Sequence, residues 1–251
     1  MNEIKSMMVL PVFSALQDDS PERQAQVDEY ERQQQKMQEE AEKKRREDYL
    51  HSCNIEPEFF DYEMDDFIPK SPTQEKAKKA VEKMIAEKRG KIILLGSNGV
   101  GKTMLASIAA KKLGGKIFSM YEISTMIRQS YTVKAEKTEL EIVKELASIP
   151  FLAIDELGRT KGSDSEQNWL SYILDKRHTR NLPFMLLSNG HLKKDCPEGG
   201  CPRCFQNFMD NDILSRLKQN SVFIVVSAED IRSTKNKGVF WEDKNVESTS
   251  A

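Results

Sequence analysis

Apolar residues in this chain gather into short blocks separated by polar, helix-forming stretches. Lys91-Ile92-Ile93-Leu94-Leu95 is a continuous apolar run of strand length, which predicts a strand buried on both faces. Similar runs over Lys116 to Met120, Pro150 to Asp155, Pro183 to Ser188 and Val222 to Val226 predict four more strands. Between them, helical patterns cover Thr73 to Lys88, Met104 to Ala110, Tyr121 to Ser130, Glu136 to Ala147, Ser165 to Thr179 and Asn211 to Gln219. Strands alternating with helices predict an α/β fold, a parallel sheet flanked by helices on both faces.

The pattern changes upstream. Pro21 to Tyr49 is rich in Glu, Gln, Lys and Arg, with no glycine and no interior proline. It predicts a long polar helix, with Ser20 as N-cap and Pro21 in the first turn. Its apolar positions, Val27, Tyr30, Met37 and Ala41, are too sparse for a heptad seam. Two readings stand: a solvated helical arm, or a docking arm for a partner. The basic run Lys43-Lys44-Arg45-Arg46 is flanked by Glu42, Glu47 and Asp48, which favours a solvated face. The segment Asn54 to Phe67 then places Phe59, Phe60, Tyr62 and Phe67 among acids. The expected division is an arm over 1–53, a globular domain over 54–232 and a flexible tail over 233–251.

Composition narrows the function. The 251 residues carry a formal net charge of −2, so nucleic-acid binding must come from local patches, not from a global basic field. No run of eighteen apolar residues exists, so no membrane span is expected. Met1 to Leu16 lacks the charged start, apolar core and cleavage site of a signal peptide, which places the expected location in the cytoplasm. Four cysteines in such a chain point to reduced thiols or a metal, not to a disulfide framework.

The chemistry is concentrated after the first strand. Gly96-Ser97-Asn98-Gly99-Val100-Gly101-Lys102-Thr103 fits the phosphate-binding loop G-x-x-x-x-G-K-[ST]. Its backbone N–H groups can cradle phosphate oxygens, Lys102 can reach the β- and γ-phosphates, and the Thr103 hydroxyl can hold Mg²⁺. The helix that follows adds the attraction of its N-terminus for phosphate. Phe151-Leu152-Ala153-Ile154-Asp155-Glu156 is an apolar strand ending in two acids. Asp155 suits Mg²⁺ on the far side of the phosphates, and Glu156 suits activation of an attacking water. Asn189, after Phe184-Met185-Leu186-Leu187-Ser188, either contacts the γ-phosphate or the water, or is a turn residue before Gly190.

In this order, the pieces resemble the AAA+ ATPases of the DnaC-type replicative helicase loaders and the IstB-type transposition helper ATPases. The resemblance spans roughly Ile55 to Arg232. Ile154-Asp155-Glu156-Leu157-Gly158 resembles the family's Walker B, Leu187-Ser188-Asn189 its sensor 1, and Leu214-Ser215-Arg216-Leu217 its arginine-finger box. Ile173-Leu174-Asp175-Lys176-Arg177 is similar to the helix after Walker B. Ala228-Glu229-Asp230-Ile231-Arg232 is similar to the closing Ser-Tyr-Arg element, with Asp230-Ile231 in place of Ser-Tyr. The resemblance implies a P-loop NTPase of the AAA+ class with no C-terminal lid domain, and Mg-dependent hydrolysis of ATP bound between adjacent subunits. Arg216 would then act from a neighbouring subunit, and Arg232 would touch nucleotide. It also implies action on a replicative helicase or on DNA. Arg128, Tyr131 and Lys134 lie in the connector of a helix pair similar to the family's single-stranded-DNA element. They supply two cations and an aromatic for phosphates and one stacked base, or else form an ordinary surface connector.

A helicase loader is the expected function, with a transposition helper as the alternative. A small-molecule kinase would need a lid with several phosphate-facing arginines, which the sequence does not offer. The chain departs from the family twice. Asp212 stands where an extra arginine often precedes the finger. An insert, Cys196-Pro197-Glu198-Gly199-Gly200-Cys201-Pro202-Arg203-Cys204, separates sensor 1 from the finger helix. With His191 it gives the spacing H-x₄-C-x₄-C-x₂-C. That set fits tetrahedral zinc, and three reduced thiols in an irregular loop with a solvated His191 is the other reading.

Overall fold

The computed structural model describes residues 21–158, 163–201, 204–207, 209, 211–219 and 221–228. The described residues divide into two units, one ending at Tyr49 and one beginning at Leu50. In the first, helix α1 (Pro21–Ser52, which runs on past the division) is polar on every side. Its support is local: Gln24 donates to Asp28 at 2.9 Å, Gln33 to Glu29 at 3.1 Å, and Arg32 pairs with Glu29 at 3.7 Å. Its expected cap, Ser20, lies outside the described residues.

The second unit is built on five parallel strands: β1 (Lys91–Leu95), β2 (Lys116–Ser119), β3 (Leu152–Asp155), β4 (Phe184–Ser188) and β5 (Val222–Val225). Their order in the sheet is β2-β3-β4-β1-β5. β1 lies between β4 and β5, in a register that sets Leu95 beside Ser188 and Val225. Strand alternation sends Ile93 and Leu95 to one face and Ile92 and Leu94 to the other. On the first face they meet helices α4 (Met120–Gln129), α5 (Glu139–Ser148), α6 (Asp164–Thr179) and α7 (Asn211–Lys218). On the second they meet α2 (Pro72–Glu87) and α3 (Lys102–Leu113).

Caps set where the helices begin. Ser119 and Thr138 form capping boxes with Glu122 and Glu141, so α4 starts at Met120 and α5 at Glu139. The strand expected to reach Met120 therefore stops at Ser119, and the helix expected from Glu136 starts three residues later. Arg177 of α6 is fully buried and, among the described residues, pairs with no carboxylate. Its guanidinium donates to the carbonyls of Leu146, Ile149, Pro150 and Pro183, at 3.2, 2.7, 3.3 and 2.6 Å. It thereby closes the C-terminal end of α5, where backbone carbonyls lack helical partners. Burial lowers its pKa to about 10, still far above neutrality.

Candidate active site

β1 ends at Leu95 and α3 begins at Lys102, so the glycine-rich loop lies at the C-terminal edge of the parallel sheet. Packing from below fixes its course. A Cβ on Gly96, whose φ is +151°, would collide with the Val226 carbonyl; one on Gly101, φ +90°, would lie 2.5 Å from the Phe67 ring. Phe67 is buried, and its carbonyl accepts from Lys78 at 3.0 Å. The fully buried Gln74 donates from Nε2 to the Val100 carbonyl at 3.1 Å and accepts from the Lys70 N–H at 2.7 Å. Loop and neighbouring strands are also tied through Gly96 N–H to Ser188 O at 3.1 Å and Val226 N–H to Leu95 O at 2.7 Å.

Lys102 turns back over the loop. Its ammonium donates to the carbonyls of Gly96 and Ser97, both at 2.8 Å, and to Asn189 Oδ1 at 2.9 Å. Thr103 Oγ1 donates to Asp155 Oδ2 at 2.8 Å, and Asp155 Oδ1 accepts from the Glu156 N–H at 2.6 Å. Adjacent ligand oxygens around an octahedral Mg²⁺ lie about 3 Å apart, so Thr103 and Asp155 fit two neighbouring positions. Glu156 has φ +56°, a left-handed conformation uncommon outside glycine. The residues around it hold that bend: Leu157 N–H donates to Leu187 O at 3.0 Å, and Ser188 Oγ donates to Leu157 O at 2.6 Å.

Asn98, Gly99, Gly101, Lys102, Thr103, Asp155, Glu156 and Asn189 thus share one cleft of about 210 Å³. Glu58, Phe59 and Tyr62 line its outer side. The sequence showed these three as an aromatic-acidic segment without revealing that they face the cleft. Their anchor is Lys111 of α3, which donates to the carbonyls of Phe59 at 3.2 Å, Phe60 at 3.0 Å and Tyr62. Lys112 adds an ion pair to Glu63 at 2.7 Å.

Other sequence candidates lie elsewhere. Arg216 does not line the cleft; half-exposed on α7, it pairs with Asp175 of α6 at 2.6 Å. The candidate nucleotide contact Arg232 lies outside the described residues. Arg128 donates to Thr125 at 3.4 Å. Tyr131 donates to Glu139, whose other oxygen accepts from Trp169 Nε1 at 2.8 Å. Tyr131, Val133 and Lys134 are exposed.

The cysteine insert draws its four candidates together. The ligand atoms of His191, Cys196, Cys201 and Cys204 all lie within 4.8 Å of one another. His191 Nε2 is 3.3 Å from Cys201 Sγ and 3.5 Å from Cys204 Sγ, and those two sulfurs are 4.0 Å apart. A hydrogen bond with His191 is the main cause lowering the Cys196 pKa to about 6, while burial raises that of Cys204.

Residues 22–237 match the family model for IstB-like ATP binding protein. No curated protein matches. Among solved structures, the DnaC helicase loader aligns with a TM-score of 0.53 and 20% identity over 68% of this chain and 100% of that one. DnaI aligns with a TM-score of 0.53 and 21% identity, over 71% and 94%. AMPPCP-bound DnaA from Aquifex aeolicus gives 0.55 and 19%, over 71% and 53%. The chain spans about half the length of the replication initiation proteins it matches. At these identities the likeness concerns the fold, a five-stranded P-loop sheet flanked by helices. Among the described residues, no helix is long and apolar enough to cross a membrane.

Proposed function

The chain belongs to the family of IstB-like ATP-binding proteins, and from that premise we propose that it is an ATP-dependent DNA replication factor that loads or remodels a replicative helicase on single-stranded DNA. One observation carries the hydrolytic part of this reading. Lys102, Thr103, Asp155, Glu156 and Asn189 converge on one cleft, while Arg216 stands apart from it on another surface. A site so divided suits ATP bound by one subunit and completed by the next.

In this reading ATP is the substrate whose terminal phosphoryl group passes to water, and Mg²⁺, when bound, would neutralise charge on the phosphates. The loop from Gly96 to Gly101, with Ser97, Asn98, Gly99 and Val100, offers N–H groups to the phosphates. Lys102 gives up its carbonyl contacts for phosphate oxygens. Thr103 and Asp155 hold the cation. Glu156 accepts a proton from the attacking water, and Asn189 orients that water or the γ-phosphate. Phe59 and Tyr62 form the apolar wall available to the base. Arg216 leaves Asp175 for the neighbour's phosphate. Residues 1–53 serve as the docking arm, 54–232 as the ATPase domain, and Arg128, Tyr131 and Lys134 as contacts to single-stranded DNA. Arg232 as a further nucleotide contact completes the reading; residues 233–251, expected as a tail, lie outside the described residues.

The fold likeness to the DnaC helicase loader, over the whole of that chain, is what supports a helicase over a transposase as partner. The test is capture of purified full-length chain by a replicative helicase or by a transposase, with ATP or with ADP. ATP-dependent capture by the helicase is expected. Capture by the transposase alone overturns the reading. Subunit mixing tests the divided site: Arg216→Ala and Lys102→Ala chains, each impaired alone, should regain partial hydrolysis together. No rescue between folded, co-assembling variants removes the trans role.

A further inference from the structure

The connection from β4 to α7 occupies residues 189–210, longer than the roughly 15 residues beyond which structureless loops become uncommon in compact domains. Within it, among the described residues, only two short 3₁₀ turns form, Lys193–Asp195 and Phe205–Asn207. Yet both ends are held. On one side lies Asn189 of the cleft, two residues before His191. On the other lies Phe205, fully buried and edge-on to Phe223 of β5 with ring centroids 6.2 Å apart. Between them the chain leaves at His191 and returns at Cys204, and these two residues form a parallel bridge. Phe205 N–H donates to His191 O at 2.8 Å, closing a narrow neck. Asn207 Nδ2 donates to Cys201 O at 2.7 Å, and the Cys201 N–H donates to Cys204 Sγ at 3.3 Å. The bridge therefore brings two ligand types, an imidazole and a thiol, to one place, and the turn Cys201 to Cys204 adds a second thiol.

The spacing of the ligand atoms identifies what they suit. Around one tetrahedral Zn²⁺, with Zn–S about 2.3 Å and Zn–N about 2.0–2.1 Å, two sulfurs lie about 3.8 Å apart and a sulfur and a nitrogen about 3.6 Å. The observed Cys201–Cys204 separation is 4.0 Å, and the two sulfur–nitrogen separations are 3.3 and 3.5 Å. Cys196 completes the set within 4.8 Å. A hydrophobic core does not draw three thiols and an imidazole to a common centre, and neither does a disulfide, which uses two sulfurs and leaves the others over. Three thiolates and one imidazole around a single centre are a Cys₃His set, whereas iron–sulfur clusters are held by four cysteines, or by two cysteines and two histidines.

We propose that His191, Cys196, Cys201 and Cys204 bind one structural zinc ion at the neck of the connection between β4 and α7. The three thiols give up their protons on binding, and neutral His191 offers the lone pair of Nε2. All four positions are taken by protein, so the ion is structural, with no open position for chemistry. Its work is to fix the neck between Asn189 and α7, a segment too short of secondary structure to hold itself.

The experiment uses the full-length chain, purified without a metal-binding tag and under reducing conditions. Elemental analysis should give about one zinc per chain, and Cys201→Ser combined with Cys204→Ser should bring this below about a tenth. Because Cys204 is fully buried and its replacement can disturb folding, Cys196→Ser, at a less buried position, provides a milder variant with weakened zinc retention against a chromogenic chelator. The wild-type protein supplies an independent reading. Exchange into Co²⁺ should give the strong visible bands of a tetrahedral thiolate site, and zinc should abolish them. Wild-type protein with less than about a tenth of a zinc per chain and no tetrahedral Co²⁺ spectrum overturns the proposal, as does a Cys201–Cys204 disulfide in the purified protein. None of these readings depends on ATP hydrolysis or on a helicase.

Discussion

Two loops leave the C-terminal edge of the sheet from neighbouring strands, and they are held in different ways. The loop after β1 rests on the core: Phe67 beneath Gly101, Gln74 on the Val100 carbonyl, and Val226 against Gly96. The loop after β4 rests on its own side chains, through the neck at His191 and Cys204 and the ligand set around it. The first must hold N–H groups to within a fraction of an ångström for phosphate, and only packing from several elements supplies that rigidity. The second has to cross the surface between a cleft residue and a helix, and four local ligands suffice. The difference teaches that the cleft should fail one contact at a time, with graded losses, whereas the neck should fail as a unit.

Substitutions in the cleft probe the first half of that contrast most severely. Glu156→Gln is expected to keep ATP binding and slow hydrolysis by about 10²–10⁴-fold, measured as phosphate release in single turnover. Wild-type turnover would remove Glu156 from the chemistry. Lys102→Ala removes charge-assisted hydrogen bonds worth about 1.5–3 kcal/mol each, so two of them correspond to an ATP affinity loss of about 10²–10⁴-fold by calorimetry. An unchanged affinity would mean that the ammonium stays on the Gly96 and Ser97 carbonyls when nucleotide is bound.

Smaller effects separate the two loops. Gln74→Leu leaves the buried Val100 carbonyl and Lys70 N–H without the amide, at about 1–3 kcal/mol, or about 2–12 °C in thermal midpoint for a domain of this size. It should also weaken ATP binding, since the loop loses its support; a fall in midpoint with no change in affinity would show that Gln74 serves the core alone. A zinc-selective chelator, with Mg²⁺ kept in excess, should expose the connection near residues 191–204 to limited proteolysis while leaving ATP affinity within about twofold, because the phosphate loop has its own supports. Equal loss of both would show that the two loops form one unit.

Much of this molecule was legible before its coordinates. Continuous apolar runs marked all five strands, because a sheet covered on both faces leaves no polar alternation to confuse with a helix. The phosphate loop, Asp155, Glu156 and Asn189 were legible because the motif and its strand-end context go together. Other features depended on three-dimensional packing. Gln74 sits three residues after Ser71, the spacing of a capping box, yet its amide leaves that role to serve the loop near Val100. No local pattern marks the work of Lys111 and Arg177, which gather carbonyls from segments 28 to 52 positions away. Asp175 as the partner of Arg216 lies 41 positions away, beyond any local pattern. The cysteine spacing marked the four residues that cluster, but the neck that brings them together required the bridge between His191 and Cys204.

The pair between Arg216 and Asp175 has a consequence for timing. Both side chains are close to half exposed, and such pairs hold by about 0.2–1 kcal/mol. At equilibrium that leaves about a sixth to two-fifths of the molecules with the guanidinium released. The arginine is thus always on offer in a sizeable fraction of the population, with no trigger needed to free it. The rate of any reaction that borrows it across a subunit boundary is set by encounter and alignment between neighbours, and so should rise with protein concentration and fall little when salt dissolves the pair.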